Sequence, residues 1–213
     1  MRLVLFDFDG TLADSLPWFR GVFPEIAGRH GFRVPDAAEF EALRAMGNRE
    51  ILRRLGVPLW RLPGIAADMR RLKARDAGRI PLFAGVDRML RRLSEAGLRI
   101  GIVSSDAEAN VRRTLGPANA ALIHDYACGA ALFGKARRMR ALLARHGVAP
   151  GEAIAIGDEL RDIEAARRAG LRAGAVTWGY AAPDALSAAA PDLLFASLDE
   201  ITDALLGGPA GSA

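Results

Sequence analysis

The sequence predicts an α/β fold: a parallel β-sheet flanked by helices, with a helical segment inserted near its start. Short apolar runs recur along the chain with amphipathic helical patterns between them, which is typical of strands buried on both faces of a parallel sheet. One long stretch, residues 15–81, has helical patterns but no clear run of this kind. A chain of 213 residues is long for one compact domain and short for two large ones, which agrees with one domain carrying an insertion.

The composition is that of an ordinary globular protein. Hydrophobic residues make up 51% of the chain and charged residues 25%, which excludes disordered, collagen-like and coiled-coil chains. No apolar stretch approaches the roughly 20 residues that span a bilayer, and the start lacks the pattern of a signal peptide. The single cysteine, Cys128, cannot form an internal disulfide. We therefore expect a cytoplasmic protein with no membrane partner.

Arginine supplies nearly all of the positive charge. The chain has 29 basic residues against 25 acidic ones, and only two of the basic residues, Lys73 and Lys135, are lysines. Arginine richness of this kind is weak evidence for nucleic-acid binding, so we expect no nucleic-acid partner. Because arginine serves wherever a plain positive charge is needed, the two lysines are of particular interest.

The predicted strands follow from the apolar runs. The first strand is Leu3–Phe6, which ends at Asp7-Phe8-Asp9-Gly10-Thr11. Further strands are predicted at residues 99–103, 153–156 and 173–177, with a weaker one at 122–126.

The predicted helices follow from apolar stripes between these runs. The stripes of the sheet region are Val86, Leu90 and Leu93, then Met139, Leu142 and Leu143, then Ile163 and Ala166. A further helix is predicted over residues 107–115, and Asp106 is a candidate for its N-terminal cap.

The helical insertion, residues 15–81, carries two stripes of its own. They are Phe19, Val22, Phe23 and Ile26, and then Ile65, Met69 and Leu72. We expect residues 1–14 and 82–206 to form a core domain, the insertion to form a small helical cap, and residues 207–213 to be a disordered tail.

Two carboxylates follow the first strand directly. Asp7 and Asp9 lie two residues apart, so alternation along a strand would place both on one side. The carboxyl end of a strand is where open α/β sheets bind ligands. Hard oxygen ligands so placed suit a magnesium ion, and Gly10 permits a sharp turn and close approach of the backbone to an anion.

Three further polar side chains lie at similar places. Ser104 and Ser105 follow the predicted strand at 99–103, and a hydroxyl there can donate to a phosphate oxygen. Lys135 lies just before a predicted helix, where the helix dipole disfavours a cation. That unfavourable placement favours a role for Lys135 facing an anion.

A second carboxylate pair, Asp158 and Asp162, follows the predicted strand at 153–156. The spacing of four residues places both on one face of a helix that starts there. All of these groups converge on one edge of one sheet. Such a convergence is what phosphoryl transfer through a carboxylate nucleophile needs.

The order Asp-x-Asp-Gly-Thr, strand-Ser, Lys, Gly-Asp-x-x-x-Asp resembles the haloacid dehalogenase superfamily, with its Rossmann-like parallel sheet. The insertion after the first motif resembles the helical C1 cap of that superfamily, and the nearest branch is that of the phosphoglycolate phosphatase-like hydrolases. One departure is Ala136, which follows Lys135 where many relatives have proline. Residues 176–180 resemble a loop that borders the active site in the phosphatase branch.

The resemblance implies a role for each matching residue. Asp7 is the nucleophile, Asp9 the general acid and base, and Lys135 neutralises charge between nucleophile and phosphate. The phosphate-binding residues are Gly10, Thr11, Ser104, Ser105 and Lys135, with Thr11 also steadying the loop. The cofactor is Mg²⁺, held by Asp7, the backbone carbonyl of Asp9, and Asp158, with Asp162 in or next to that shell.

We therefore expect a Mg²⁺-dependent phosphatase that acts on a small phosphorylated metabolite. Asp9 argues against dehalogenation, since dehalogenases lack the second acid. Phosphonate hydrolysis needs a cap lysine, and Lys73 lies in a basic run that resembles a solvated helix face. A sugar-phosphate mutase of the β-phosphoglucomutase type remains an alternative. So does a non-catalytic protein that binds nucleic acid or protein through the arginines of residues 49–61 and 70–79.

Overall fold

A single sheet of six parallel strands lies at the centre of the part of the chain that the computed structural model describes, residues 1–129 and 134–207. The strands are β1 (Leu3–Phe6), β2 (Arg99–Ile102), β3 (Asp125–Tyr126), β4 (Ala153–Gly157), β5 (Arg172–Val176) and β6 (Leu193–Phe195). Their order in the sheet is β3-β2-β1-β4-β5-β6. The strand order reverses between β1 and β4, and ligands of open α/β sheets bind outside the carboxyl ends of the strands at such a point.

Ten α-helices accompany the sheet in the described residues. They are α1 (Leu16–His30), α2 (Ala37–Leu43), α3 (Asn48–Arg54), α4 (Leu62–Asp76), α5 (Val86–Glu95), α6 (Glu108–Ala120), α7 (Lys135–His146), α8 (Leu160–Ala169), α9 (Pro183–Ala188) and α10 (Leu198–Leu206). Short 3-10 turns lie at Leu59–Arg61, Ala77–Arg79 and Pro150–Glu152. The first four helices belong to the helical insertion, and none of the helices described is long and apolar enough to cross a membrane.

Helices cover both faces of the sheet because β1 is apolar on both. Val4 and Phe6 pack in one cluster with residues of α5, α6 and α10. Leu3 and Leu5 pack in another with residues of α7 and α8. All four side chains are buried, and each contributes roughly 1.5–3 kcal/mol to folding. This central, doubly covered strand holds the loop that follows it in a fixed place.

The helical insertion carries its own apolar clusters. Phe23 of α1 packs with Leu43, Leu55 and Val57, and its ring lies edge-on to that of Phe19 with centroids 5.4 Å apart. A second cluster joins Val22, Ile26 and Leu72, so α1 and α4 pack together. The two stripes predicted from the sequence therefore face the interior of the insertion.

The two connections of the insertion lie side by side. Ala13 forms an antiparallel bridge with Leu82, and the Asp14 N–H donates to the Pro81 carbonyl at 2.9 Å. The Phe83 N–H donates to the Leu12 carbonyl, also at 2.9 Å. The chain therefore leaves and rejoins the sheet region at one place, beside the carboxyl end of β1.

Several details differ from the predictions, among them α9 and α10, which were not predicted, and α6, which extends beyond residue 115 to Ala120. The weak strand at 122–126 reduces to two residues, because the chain turns after α6 as far as Ile123. The short edge strand β6 was not predicted. The predicted cap is wrong: α6 begins one residue later, with Ala107 at the N-cap, because the Asp106 side chain is turned into the interior.

The predicted tail falls mostly outside the described residues. Gly207 ends α10 in the left-handed conformation, and residues 208–213 lie outside the part of the chain that the structure describes.

Candidate active site

Asp7 begins the site, directly after β1. Its backbone N–H donates to the Ile156 carbonyl of β4 at 2.8 Å, which continues the sheet pairing, and its Oδ1 accepts from the Phe8 N–H at 2.7 Å. The next residue, Phe8, is completely buried in the core. The backbone on both sides of Asp7 is therefore anchored, and the carboxylate is held in a buried position.

Lys135 is the first residue of α7 and reaches two carboxylates. Its Nζ donates to Asp162 Oδ1 at 2.6 Å and forms an ion pair with Asp7 Oδ2. Burial alone would lower the pKa of Lys135, but the Asp162 and Asp7 carboxylates outweigh burial and raise it. Lys135 is therefore a fixed cation, and its carboxylate partners explain its unfavourable place at a helix N-terminus.

Asp158 follows β4 and is enclosed by two loops. Thr11 Oγ1 donates to its Oδ1 at 2.7 Å, and the Tyr180 N–H donates to its Oδ2 at 2.8 Å. Gly10 has a φ of +75°, and a Cβ atom there would lie 2.2 Å from Asp158 Oδ2. Only glycine fits, since its backbone must be both left-handed and this close to the carboxylate.

Asp7, Asp158 and Asp162 form a buried cluster whose ligand oxygens lie within 4.8 Å of one another. Burial raises the pKa of Asp7 to about 6, which Lys135 opposes and Asp162 reinforces. Burial and the nearby Asp7 raise the pKa of Asp158 well above its usual range. For Asp162, Lys135 and Arg161 outweigh burial and lower the pKa.

These three carboxylates could hold a divalent metal ion. Carboxylate oxygens are the ligands that hard cations prefer. Burial raises the pKa values of Asp7 and Asp158, and the neighbouring carboxylates reinforce that effect, so a bound cation would stabilise the ionised forms of both groups. The Asp9 side chain lies outside this cluster.

Ser104 and Ser105 follow β2, whose Ile102 pairs in register with Phe6 of β1. Ser104 is buried, and its Oγ accepts from the Asp106 N–H at 3.0 Å. Because that bond uses the oxygen as acceptor, the hydroxyl proton remains available for donation. Ser105 is partly exposed beside it.

The structure overturns the interpretation of Lys73 as part of a solvated face. Its side chain is only 5% exposed, and Nζ forms ion pairs with Asp9 Oδ1 and with Asp106 Oδ2, the latter at 3.0 Å. Burial would lower the pKa of Lys73, but the two carboxylates outweigh it and raise the pKa. The sequence did carry a signal: residue 73 lies at helical spacing from Ile65 and Met69, on the buried stripe of α4.

The loop after β5 joins the site to the insertion. Trp178 Nε1 donates to the Thr11 carbonyl at 3.2 Å, so the loop borders the site. Arg44, directly after α2, donates to the carbonyls of Tyr180 at 2.9 Å and Gly179 at 3.1 Å. The Ala182 N–H in turn donates to the Arg44 carbonyl at 2.9 Å. Sequence reasoning missed Arg44, because nothing in its neighbourhood distinguishes it from the other arginines.

Comparison with known proteins agrees with this geometry. Residues 4–176 match the family described as haloacid dehalogenase-like hydrolase. The chain is 34% identical to a phosphoglycolate phosphatase of Synechococcus elongatus over 96% of this chain and 97% of that protein. It is 32% identical to a phosphoglycolate phosphatase of Xanthomonas campestris over 84% of each chain.

A solved structure shows the same fold. It is a haloacid dehalogenase-like hydrolase from Streptococcus pneumoniae, with a TM-score of 0.76 and 23% identity, over 94% of this chain and 96% of that one. The chain therefore belongs to the haloacid dehalogenase-like hydrolases and is an enzyme of the phosphatase class within that family.

Proposed function

We propose that the chain is a Mg²⁺-dependent phosphatase that hydrolyses a small phosphomonoester through an aspartyl-phosphate on Asp7. The observation that carries this proposal is the buried Asp7 carboxylate, paired with Lys135 and placed beside Asp158 and Asp162. Phosphoglycolate belongs to the proposed substrate class, since relatives that match most of this chain are named for it. A cytoplasmic location, with no membrane or nucleic-acid partner, is part of the same proposal.

In the first step, an Asp7 oxygen attacks phosphorus while the bond from phosphorus to the leaving oxygen breaks. Asp9 gives its proton to that oxygen as general acid. Lys135 holds a positive charge between Asp7 and the phosphate, which lets two anions approach. Ser104 and Ser105, with the backbone around Gly10 and Thr11, bind the phosphate oxygens.

In the second step, Asp9 takes a proton from water, which attacks phosphorus and releases Asp7. A magnesium ion held by Asp7, the Asp9 carbonyl, Asp158 and Asp162 would supply the positive charge that this anionic chemistry needs. The helical insertion, residues 15–81, acts as a cap that keeps bulk water out of the site.

The test is phosphate release from a panel of phosphomonoesters: 2-phosphoglycolate, sugar phosphates and nucleoside monophosphates, each with magnesium and with a chelator. Asp7→Asn is the blank, and the same substitution at the exposed Asp87 of α5 is the matched control. We expect magnesium-dependent release in the wild type and in Asp87→Asn, and none in Asp7→Asn. Activity retained in Asp7→Asn would refute the mechanism. A folded wild type that releases no phosphate would favour the mutase, which isomerisation of a sugar phosphate would detect.

A further inference from the structure

Lys73 of the helical insertion forms an ion pair with Asp9, the second acid after β1. Resting on the proposed function, we propose that Lys73 is a positioning residue, which holds the Asp9 carboxylate in place for proton transfer while Asp106 holds Lys73. The ion pairs of Lys73 with Asp9 and Asp106 join the insertion, the loop after β1 and the loop after β2.

Asp106 is built as a fixed partner for a cation. Its Oδ1 accepts from the Ala107 N–H at 2.7 Å and from Asn110 Nδ2 at 2.9 Å. Its Oδ2 is buried and accepts no hydrogen bond among the described residues, and Lys73 Nζ lies 3.0 Å from it. Since a buried carboxylate is costly without a partner, Asp106 depends on Lys73.

Two further contacts fix the register of α4 against α6. Asn110 Nδ2 donates to the Arg70 carbonyl at 3.0 Å, and Arg113 Nη1 donates to the Ala74 carbonyl at 2.8 Å. Residues 70, 73 and 74 lie on one face of α4. Residues 110 and 113 lie on one face of α6, and Asp106 lies two residues before that helix begins. Lys73 is therefore held by its helix as well as by its ion pairs.

Asp9 has more freedom than its neighbours. Its side chain is 25% exposed, whereas those of Asp7 and Asp162 are each 5% exposed. The ion pair with a fixed lysine restricts the Asp9 side chain to one orientation. A general acid works only within hydrogen-bond reach of the atom it protonates, so this restriction affects proton transfer more than phosphate binding.

The test compares two leaving groups. In p-nitrophenyl phosphate the leaving group departs without a proton, whereas the best alkyl phosphomonoester of the panel needs one. Lys73→Met should lower kcat for the alkyl ester by about 100-fold, the low end of a general-acid contribution. For the aryl ester we expect a loss below about 5-fold. Lys73→Arg should recover part of the activity, and Arg71→Met, which removes an exposed arginine of the same helix, should behave like the wild type.

Loss of stability must be separated from loss of positioning. Lys73→Met leaves Asp106 unpaired, so the double variant Lys73→Met with Asp106→Asn, which removes both charges, should recover thermal stability while the alkyl ester stays slow. Equal losses on both esters, with KM raised, would overturn the proposal, because Lys73 would then only hold the insertion in place.

A measurement without turnover completes the test. Amide hydrogen exchange of residues 8–13 should speed up in Lys73→Met and stay unchanged in Arg71→Met. Unchanged exchange in Lys73→Met would show that Lys73 does not restrain this loop, and would overturn the proposal. If the wild type hydrolyses neither ester, the proposed function fails, and the proton-transfer role of Lys73 fails with it. Faster exchange in Lys73→Met would then show only that Lys73 restrains residues 8–13.

Discussion

Two buried lysines flank one Asp-x-Asp sequence, and they come from different regions of the molecule. Lys135, on α7, lies between Asp7 and Asp162. Lys73, on α4 of the helical insertion, lies between Asp9 and Asp106. Their side chains are 4% and 5% exposed, so the two are equally well enclosed.

The two lysines differ in how the fold places them and in the number of carboxylates nearby. Lys135 begins the helix that packs on one face of the sheet, so its position follows from alternating strands and helices. Lys73 comes from a separate layer and depends on how α4 packs against α6. Asp158 adds a third carboxylate to the two that pair with Lys135. A buried lysine between two carboxylates can thus be placed by the alternation of strands and helices or by packing between two regions of the molecule.

The largest expected effect comes from breaking the Lys135 arrangement. Lys135→Met removes the cation that, in the proposed mechanism, lies between the nucleophile and the phosphate. We therefore expect kcat to fall by about 100- to 1000-fold, the usual cost of one lost transition-state stabiliser. Unlike that of Lys73→Met, this loss should be equally large for p-nitrophenyl phosphate and an alkyl ester. A loss confined to the alkyl ester would assign Lys135 to proton transfer and contradict its role. Steady-state rates of both esters at saturating magnesium measure the loss of kcat.

The effect of magnesium on stability should distinguish the carboxylates around Lys135 from those around Lys73. The pKa of folded Asp7, about 6, lies above its ordinary value of 3.8. The folded chain therefore binds a proton more tightly than the unfolded chain, and the metal-free fold loses stability as pH rises from about 4 through 6. Magnesium needs ionised carboxylates, so its stabilising effect should grow over the same range.

Thermal unfolding at pH 5 and pH 8, with and without magnesium, measures this effect. We expect a larger rise in Tm at pH 8, where each 1 kcal/mol of binding corresponds to roughly 2 to 4 °C for a chain of this size. Lys73→Met should keep the response and Asp158→Asn should lose it. An equal rise at both pH values would mean that the ion binds elsewhere.

The smallest expected effect concerns Arg44, which joins the insertion to the loop after β5. Arg44→Met removes two hydrogen bonds to that loop, so the insertion should close less firmly on bound substrate. We expect KM to rise about 5-fold, the equivalent of roughly 1 kcal/mol, with kcat nearly unchanged. Arg53→Met, at an exposed arginine of α3, is the matched control. A large fall in kcat would instead give Arg44 a role like that of Lys73.

The sequence predicted the sheet region better than the insertion, for a physical reason. A buried strand must be apolar, so the polar residues that follow Phe6, Val103 and Gly157 were visible as strand ends. The parallel sheet then brings those ends together. Strand β6 was not predicted because three residues at a sheet edge give too short an apolar run.

The contacts of the insertion could not be predicted in this way. Lys73 lies on α4 and Arg44 directly after α2, and tertiary packing sets the partners of both. Neither strand ends nor helical spacing identifies those partners. The spacing of residue 73 placed it on a buried face but did not identify Asp9 and Asp106. Tyr180 contacts Asp158 through its backbone N–H, which no side-chain pattern can reveal.

The paired connections at Ala13 and Leu82 have an evolutionary consequence. Because the chain leaves and returns at adjacent points, the segment between them can be swapped for another of different length without moving a strand. Substrate preference can then diversify by exchange of this module while the chemistry below it is conserved. Such a swap would leave the buried Asp106 without Lys73. Natural exchanges should therefore change both positions together, and a designed graft needs a neutral residue at 106 or a lysine supplied by the new module.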